Sequence, residues 1–237
     1  MKQEKITAIV LAAGRGSRMK SEVQKQYMTL AGKPVVVHSL EQFEKSNVDE
    51  IILVTGADEI QYCKENIVDA YHITKVKKIV AGGNERYESV YHALEVMDDC
   101  QYVFMQDGAR PCITQKIIQS CIENVKEYGT CIIGMPVKDT IKIVDKDVFA
   151  KDTPNRATLW QIQTPQCFIY DEIKLAYEKM MASGVKNITD DAMVMEQFGH
   201  RKVKLVCGSY ENIKITTPED MEIGELFLKR ISESKKE

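Results

Sequence analysis

The sequence contains no C-x-x-C pair, only six prolines and only four histidines in 237 residues. Its seven cysteines (Cys63, Cys100, Cys112, Cys121, Cys131, Cys167 and Cys207) are odd in number and scattered. That pattern excludes a disulfide framework and a C-x-x-C zinc site, and the four histidines show no metal-ligand spacing. The cysteines read as small buried hydrophobes in a reducing compartment, which makes the cytoplasm the expected location. No apolar run is long enough to span a bilayer. The one in MKQEKITAIVLAAG is short and opens into a glycine turn rather than a cleavage site, so no membrane partner is expected. Positive charge is not in excess: 32 Lys and Arg face 35 Asp and Glu, for a net charge of -3. No overall basic field points to nucleic acid. There is no internal repeat, low-complexity tract or obvious linker.

What is present is an alternation. Hydrophobic residues at 44% and charged residues at 28% suit a globular chain with a sizeable core. Ile6 to Leu11 is a continuous apolar run, the pattern of a strand buried on both faces. Similar runs recur at EIILVTG, KVKKIVAGG, QYVFMQDG, TCIIGMPV and KVKLVCG. Helical periodicity lies between them. Val36, Leu40 and Phe43 share a face, with Pro34 at an expected first helical position. Further helices are expected near Asp58 to Ala70, around Val90, Leu94 and Met97, and from Thr114 to Tyr128 with Ile117, Ile118, Cys121, Ile122 and Val125 inward. Others are expected near Tyr170 to Ser183, after Thr189, and from Thr217-Pro218. Strands separated by helices of this length predict βαβ crossovers and a mainly parallel sheet. From Lys138 to Phe168 the rhythm breaks into short β-like pieces with many charges, too long for a simple connector. One domain over residues 1–237 with a projecting arm at about 138–168 is the economical organisation.

In open parallel sheets, ligands sit outside the carboxyl ends of the strands. Polar residues collect there in this chain: AAGRGSR, AGGNER, QDGARP, PVKDT and NIKITTPED. The first of these is neither of two well-known phosphate loops. A Walker loop needs a Gly-Lys-Ser/Thr ending that is absent. The dinucleotide fingerprint needs glycine or alanine where Met19 stands, and an acid at the end of the second strand, where Val54-Thr55-Gly56 stands. What survives is a nest of backbone N–H groups able to meet phosphate oxygens, with Arg18 adding charge. A plain strand-to-helix turn fits the loop taken alone.

The motifs taken together are more specific. LAAGRGSRM followed by KQYMTLAGKP resembles the signature of sugar-nucleotide pyrophosphorylases and cytidylyltransferases. With GGNERYESV, DGARP, PVKDTIK, NRATLWQIQTPQ, ITDDA and NIKITTPED in order, the chain resembles the 2-C-methyl-D-erythritol 4-phosphate cytidylyltransferase family of the non-mevalonate isoprenoid route. The resemblance spans nearly the whole chain. It implies a Rossmann-like α/β nucleotidyltransferase fold with helices on both faces and a β-arm that pairs two subunits in a homodimer. It implies that CTP and methylerythritol phosphate are joined, with release of pyrophosphate and with Mg²⁺ or another divalent cation as cofactor.

By the same resemblance, Arg18, Lys25 and Lys214 carry the catalytic charge. Ala12, Ala13, Gly14, Gly82, Asn84 and Ser89 form the nucleotide pocket. Asp107 lies near the metal and the substrate hydroxyls. Arg110, Thr140, Arg156 and Thr164 hold the second substrate, Arg156 from the partner subunit. Thr189 matches a substrate position and equally suits a helix N-cap. Asp190 and Asp191 look like catalytic acids but also suit the start of a helix, which is the favoured reading. The chain departs from the family at Gln24, where proline is usual, and at Gln106, where histidine is usual. The alternatives are ribitol 5-phosphate as the second substrate, of which DTPNRATL is reminiscent, a sugar-phosphate transferase using another base, and a nucleotide-binding regulator without activity. Joint retention of Arg18, Lys25, Asp107 and Lys214 argues against the last.

Overall fold

A computed structural model describes residues 4–14 and 23–233; Arg18 and the rest of the opening loop through residue 22 lie outside them. The first strand, β1 (Ile6–Leu11), is flanked on both sides, so its side chains are buried on both faces. A small hairpin, β2 (Thr29–Leu30) and β3 (Lys33–Pro34), leads into α1 (Val35–Glu44). Pro34 is the N-cap rather than the first helical residue: its ψ of 139° is extended because it still pairs with Thr29 in the hairpin. Next come β4 (Glu50–Thr55), a helical segment at 57–69 that contains α2 (Ile60–Cys63), and β5 (Val76–Ala81). α3 (Arg86–Val96) and β6 (Tyr102–Asp107) follow. α4 (Gln115–Tyr128) begins where the Thr114 hydroxyl accepts the Ile117 N–H at 3.3 Å, and it ends on Gly129 at φ 75°. Its apolar stripe is buried as the periodicity predicts.

β7 (Thr130–Pro136) leads to a two-stranded ribbon, β8 (Ile143–Val144) and β9 (Ala150–Asp152). β10 (Trp160–Ile169), α5 (Tyr170–Ser183), α6 (Asp191–Val194), β11 (Leu205–Cys207) and α7 (Glu219–Glu233) complete the described chain. α6 differs from the expected start by one residue. Asp190, not Thr189, is its N-cap, accepting the Met193 N–H at 3.0 Å.

Seven strands form one sheet in the order β5-β4-β1-β6-β10-β7-β11. All neighbours are parallel except β10, which runs antiparallel to both β6 and β7. Helices cover both faces. Val36, Leu40 and Phe43 of α1 pack with Ile118 and Val125 of α4 on one side. Val90 and Leu94 of α3 pack with Ile173 and Tyr177 of α5 on the other. Each fully buried aliphatic or aromatic side chain contributes roughly 1.5–3 kcal/mol, so the two layers dominate stability. Six of the seven cysteines are buried within this framework and Cys207 is exposed.

The irregular stretch beginning at Lys138 is shorter than its composition implies. Its last residues, from Trp160 onward, enter the central sheet as β10, which the two prolines and the charges nearby conceal in the sequence. The projecting part is the β8–β9 ribbon and its flanks. Asp145 closes its tip by accepting the N–H groups of Asp147 and Phe149, both at 3.0 Å. The ribbon exposes Ile143, Val144, Val148 and Phe149, the last at 71%.

Candidate active site

The chain leaves β1 to build β4 and β5 on one side, then returns to place β6 on the other. The carboxyl ends of β1 and β6 therefore flank the switch point of the sheet, where a crevice opens. Ala12, Ala13 and Gly14 follow β1 there, and Asp107 ends β6. Antiparallel β10 delivers Thr164 to the same edge: its hydroxyl accepts the Asp107 N–H at 3.1 Å and donates to Gln106 Oε1 at 3.0 Å. Gln106, the departure from the family's histidine, thus braces the wall behind Asp107.

The side predicted to take the nucleotide is built by close approach. A Cβ on Gly82 would lie 2.5 Å from the Ala13 Cβ and 2.7 Å from Ser89 Oγ, so only glycine lets the β5 end meet β1 and α3. Ser89 Oγ accepts the Gly83 N–H at 3.0 Å, and Glu88 Oε2 accepts the Asn84 N–H at 2.7 Å. The predicted residues Ala12, Ala13, Gly82 and Asn84 thus follow the adjoining ends of β1 and β5, Ser89 faces them from α3, and Gly14 is exposed beyond them.

The adjoining cleft, about 290 Å³, is lined by Arg86, Asp107, Arg110, Thr164, Thr189, Asp190 and Lys214 among others. Three cations converge on one carboxylate. Asp107 Oδ1 accepts from Arg86 Nε at 3.1 Å, while Oδ2 lies 2.8 Å from Lys214 Nζ and 3.8 Å from Arg110 Nε. Burial works against the charge on Asp107, but Arg86, Lys214 and Arg110 overcome it and hold the carboxyl far below the usual range. Arg110 Nη1 donates to the Asn212 carbonyl at 2.7 Å. Arg110 Nε, buried, makes no hydrogen bond among the described residues. The anion it faces is the Asp107 carboxylate, so the Arg110 guanidinium belongs to the ion-pair cluster at the edge of the cleft.

Arg86 carried no assigned role in the sequence, although it stands in GGNERYESV. It forms a two-pronged ion pair with Asp191, Nη1 to Oδ1 at 2.9 Å and Nη2 to Oδ2 at 2.7 Å. Asp191 is fully buried and also accepts from Tyr177 Oη at 2.6 Å. Burial alone would lower the Arg86 pKa, yet Asp191 and Asp107 raise it well above its ordinary value. The helix-start expectation holds for Asp190 as a cap, but the Asp191 carboxylate serves the ion pair. The sequence signal was the pairing of an unassigned arginine with a second aspartate. Their separation of 105 positions hid it.

Lys25 opens a 3-10 turn, Lys25–Tyr27, outside the lining of the cleft. Thr140 and Arg156 lie on the exposed arm, also outside that lining, and Arg156 Nη1 donates to the Lys138 carbonyl at 2.8 Å. Among the described residues no group of three or more His, Cys, Asp or Glu could hold a metal ion. Two carboxylates, Asp107 and Asp190, line the cleft. Such a set suits Mg²⁺, which is commonly held by one or two carboxylates together with substrate phosphates. Among the described residues no helix is long and apolar enough to cross a membrane.

A mainly parallel, doubly covered sheet, with glycine-rich strand ends and clustered cations at its switch point, defines an α/β nucleotidyltransferase. Residues 6–230 match the family described as IspD, 2-C-methyl-D-erythritol 4-phosphate cytidylyltransferase. A relative of that name from Lachnospira eligens is 53% identical over 225 residues, covering 94% of this chain and 99% of that protein. Another from Caldanaerobacter subterraneus is 46% identical, covering 95% and 99%. The crystal structure of 4-diphosphocytidyl-2C-methyl-D-erythritol synthase from Anaerococcus prevotii aligns with a TM-score of 0.83 at 33% identity, covering 95% and 96%. The chain belongs to the 2-C-methyl-D-erythritol 4-phosphate cytidylyltransferase family.

Proposed function

We propose that the chain transfers the cytidylyl group of CTP to 2-C-methyl-D-erythritol 4-phosphate, giving 4-(cytidine 5'-diphospho)-2-C-methyl-D-erythritol and pyrophosphate. Family membership supports the reaction. The single observation that carries the site is the convergence of Arg86, Arg110 and Lys214 on Asp107 at the edge of the cleft. A substrate phosphate oxygen attacks the α-phosphorus in line; the new O–P bond forms as the bond to the β-phosphate oxygen breaks. The nucleophile is already anionic at neutral pH, so no serine or general base is required. Positioning two polyanions and neutralising transition-state charge is the protein's task.

In this reading Arg18 and Lys25 grip the triphosphate and Lys214 faces the α-phosphate. The backbone of Ala12, Ala13, Gly14, Gly82 and Asn84, with the Ser89 hydroxyl, holds the nucleotide. Asp107, Arg110, Thr164 and Thr189 hold the alditol phosphate. Mg²⁺ would be carried by the triphosphate with Asp107 as its protein ligand, and it would neutralise phosphate charge. The seven unpaired cysteines favour a reducing compartment, the cytoplasm. Pyrophosphate release measured with methylerythritol phosphate and with ribitol 5-phosphate tests the specificity. The first is expected to be strongly preferred, and preference for ribitol phosphate would overturn the assignment of the second substrate.

The exposed Ile143, Val144, Val148 and Phe149 of the ribbon support a homodimer in which each arm brings Thr140 and Arg156 to the other subunit's cleft. Mixing Arg156→Ala and Lys25→Ala subunits under confirmed exchange is then expected to restore activity that neither variant has alone. Absence of complementation would argue for a site contained in one chain.

A further inference from the structure

We infer that Glu59 and Gln24 are positioning residues that hold the turn carrying Lys25. The inference rests on the proposed role of Lys25. That turn is short, and its own backbone bonds are two: Tyr27 N–H to the Gln24 carbonyl at 2.9 Å and Met28 N–H to the Lys25 carbonyl at 3.3 Å. A three-residue 3-10 turn has little intrinsic stability. Side chains around it supply the restraint. Glu59, just beyond the end of β4, is the anchor. Its Oε2 accepts from Tyr27 Oη at 2.9 Å, Thr55 Oγ1 at 3.1 Å and the Gly56 N–H at 3.1 Å. Its Oε1 accepts from Gln24 Nε2. Gln24 Oε1 in turn accepts from Gln26 Nε2, which also donates to the Ala12 carbonyl at 2.6 Å.

The chain of bonds therefore runs from the nucleotide end of β1, through both neighbours of Lys25, to the end of β4. Residues 24, 26 and 27 are each tethered by their side chains, so the backbone of Lys25 has little freedom left. Tyr27 remains a donor throughout: burial, with Cys63 beside it, pushes the phenol far above its ordinary pKa. Gln24 itself sits at φ -64° and ψ 138°. That φ is the one a proline ring imposes covalently. Here side-chain hydrogen bonds hold the residue in place instead, and the carboxylate of Glu59 is the anchor of Gln24 and Tyr27.

Glu59→Gln replaces an acceptor with an amide whose N–H₂ must face one of these donors. The expected result is a fall in kcat of about 10- to 100-fold, the scale set by small misplacements of reacting groups, with KM for the alditol phosphate unchanged. Gln24→Pro added to Glu59→Gln is expected to recover most of the loss, because the ring restores φ without any hydrogen bond. Thermal melting of both variants separates this from unfolding. Native turnover in Glu59→Gln, or a double variant as slow as the single one, would overturn the inference. Lys25→Ala measured alongside distinguishes the two levels. If it is slow while Glu59→Gln is normal, only the tether fails. If Lys25→Ala turns over normally, the role of Lys25 fails and the inference fails with it.

Discussion

Lys214→Ala is expected to lower kcat by about 10²–10³-fold, the cost of removing one preorganised charge-stabilising donor, while leaving the fold intact. The Lys214 side chain is 35% exposed, so its removal costs little packing. Its Nζ lies 2.8 Å from Asp107 Oδ2, which also has Arg86 and Arg110 beside it. Asp107 thus keeps two cationic partners in the variant and no buried charge is stranded. What is lost, under the proposed function, is the ammonium that faces the α-phosphate of the nucleotide. An interaction made only in the transition state lowers kcat and kcat/KM together, whereas one shared with the ground state raises KM alone. Steady-state kinetics with CTP varied separates the two. A near-native kcat would remove Lys214 from the reacting centre. Lys214→Arg is not a neutral control, since a planar fork does not replace a compact ammonium.

Asp191→Ala is the variant expected to cost most stability, about 3–5 kcal/mol, as when one partner of a buried ion pair is deleted. Asp191 is fully buried and answers three donors: two arms of Arg86 and the Tyr177 hydroxyl. Truncation leaves the Tyr177 hydroxyl unpaired and Arg86 with Asp107 alone. For a chain of this size the melting temperature should fall by about 6–20 °C. The double variant Arg86→Met, Asp191→Asn is expected to melt above Asp191→Ala, because no buried charge remains uncompensated and the asparagine still accepts from Tyr177. A melting temperature within a few degrees of the native protein for Asp191→Ala would show that the pair is not structural. Since Arg86 also touches Asp107, the pair joins the floor of the cleft to α6, and loss of activity should accompany loss of stability.

Much of the architecture was legible because it rests on local periodicity. The apolar runs at Ile6–Leu11, Glu50–Thr55 and Tyr102–Asp107 can be buried only on both faces, and the α4 stripe repeats every three to four residues. The misreadings fall where a tertiary partner outweighs local preference. Pro34 stays extended to complete a hairpin with Thr29. Asp190 rather than Thr189 caps α6. Trp160–Ile169, which looks like the end of an irregular arm, is drawn into the sheet by β6 and β7.

The class of fold, most of the alternating strands and helices, and the set of motifs that identifies the family were already present in the order of residues, because these depend on residue types at short spacing. The tertiary structure alone decided which charges meet. Arg86 and Asp191 are 105 positions apart, Thr164 and Gln106 are 58 apart, and Glu59 and Gln24 are 35 apart. Such contacts leave no periodic trace in a chain. They arise only where parallel strands end together at the switch point, and where one antiparallel strand enters between them.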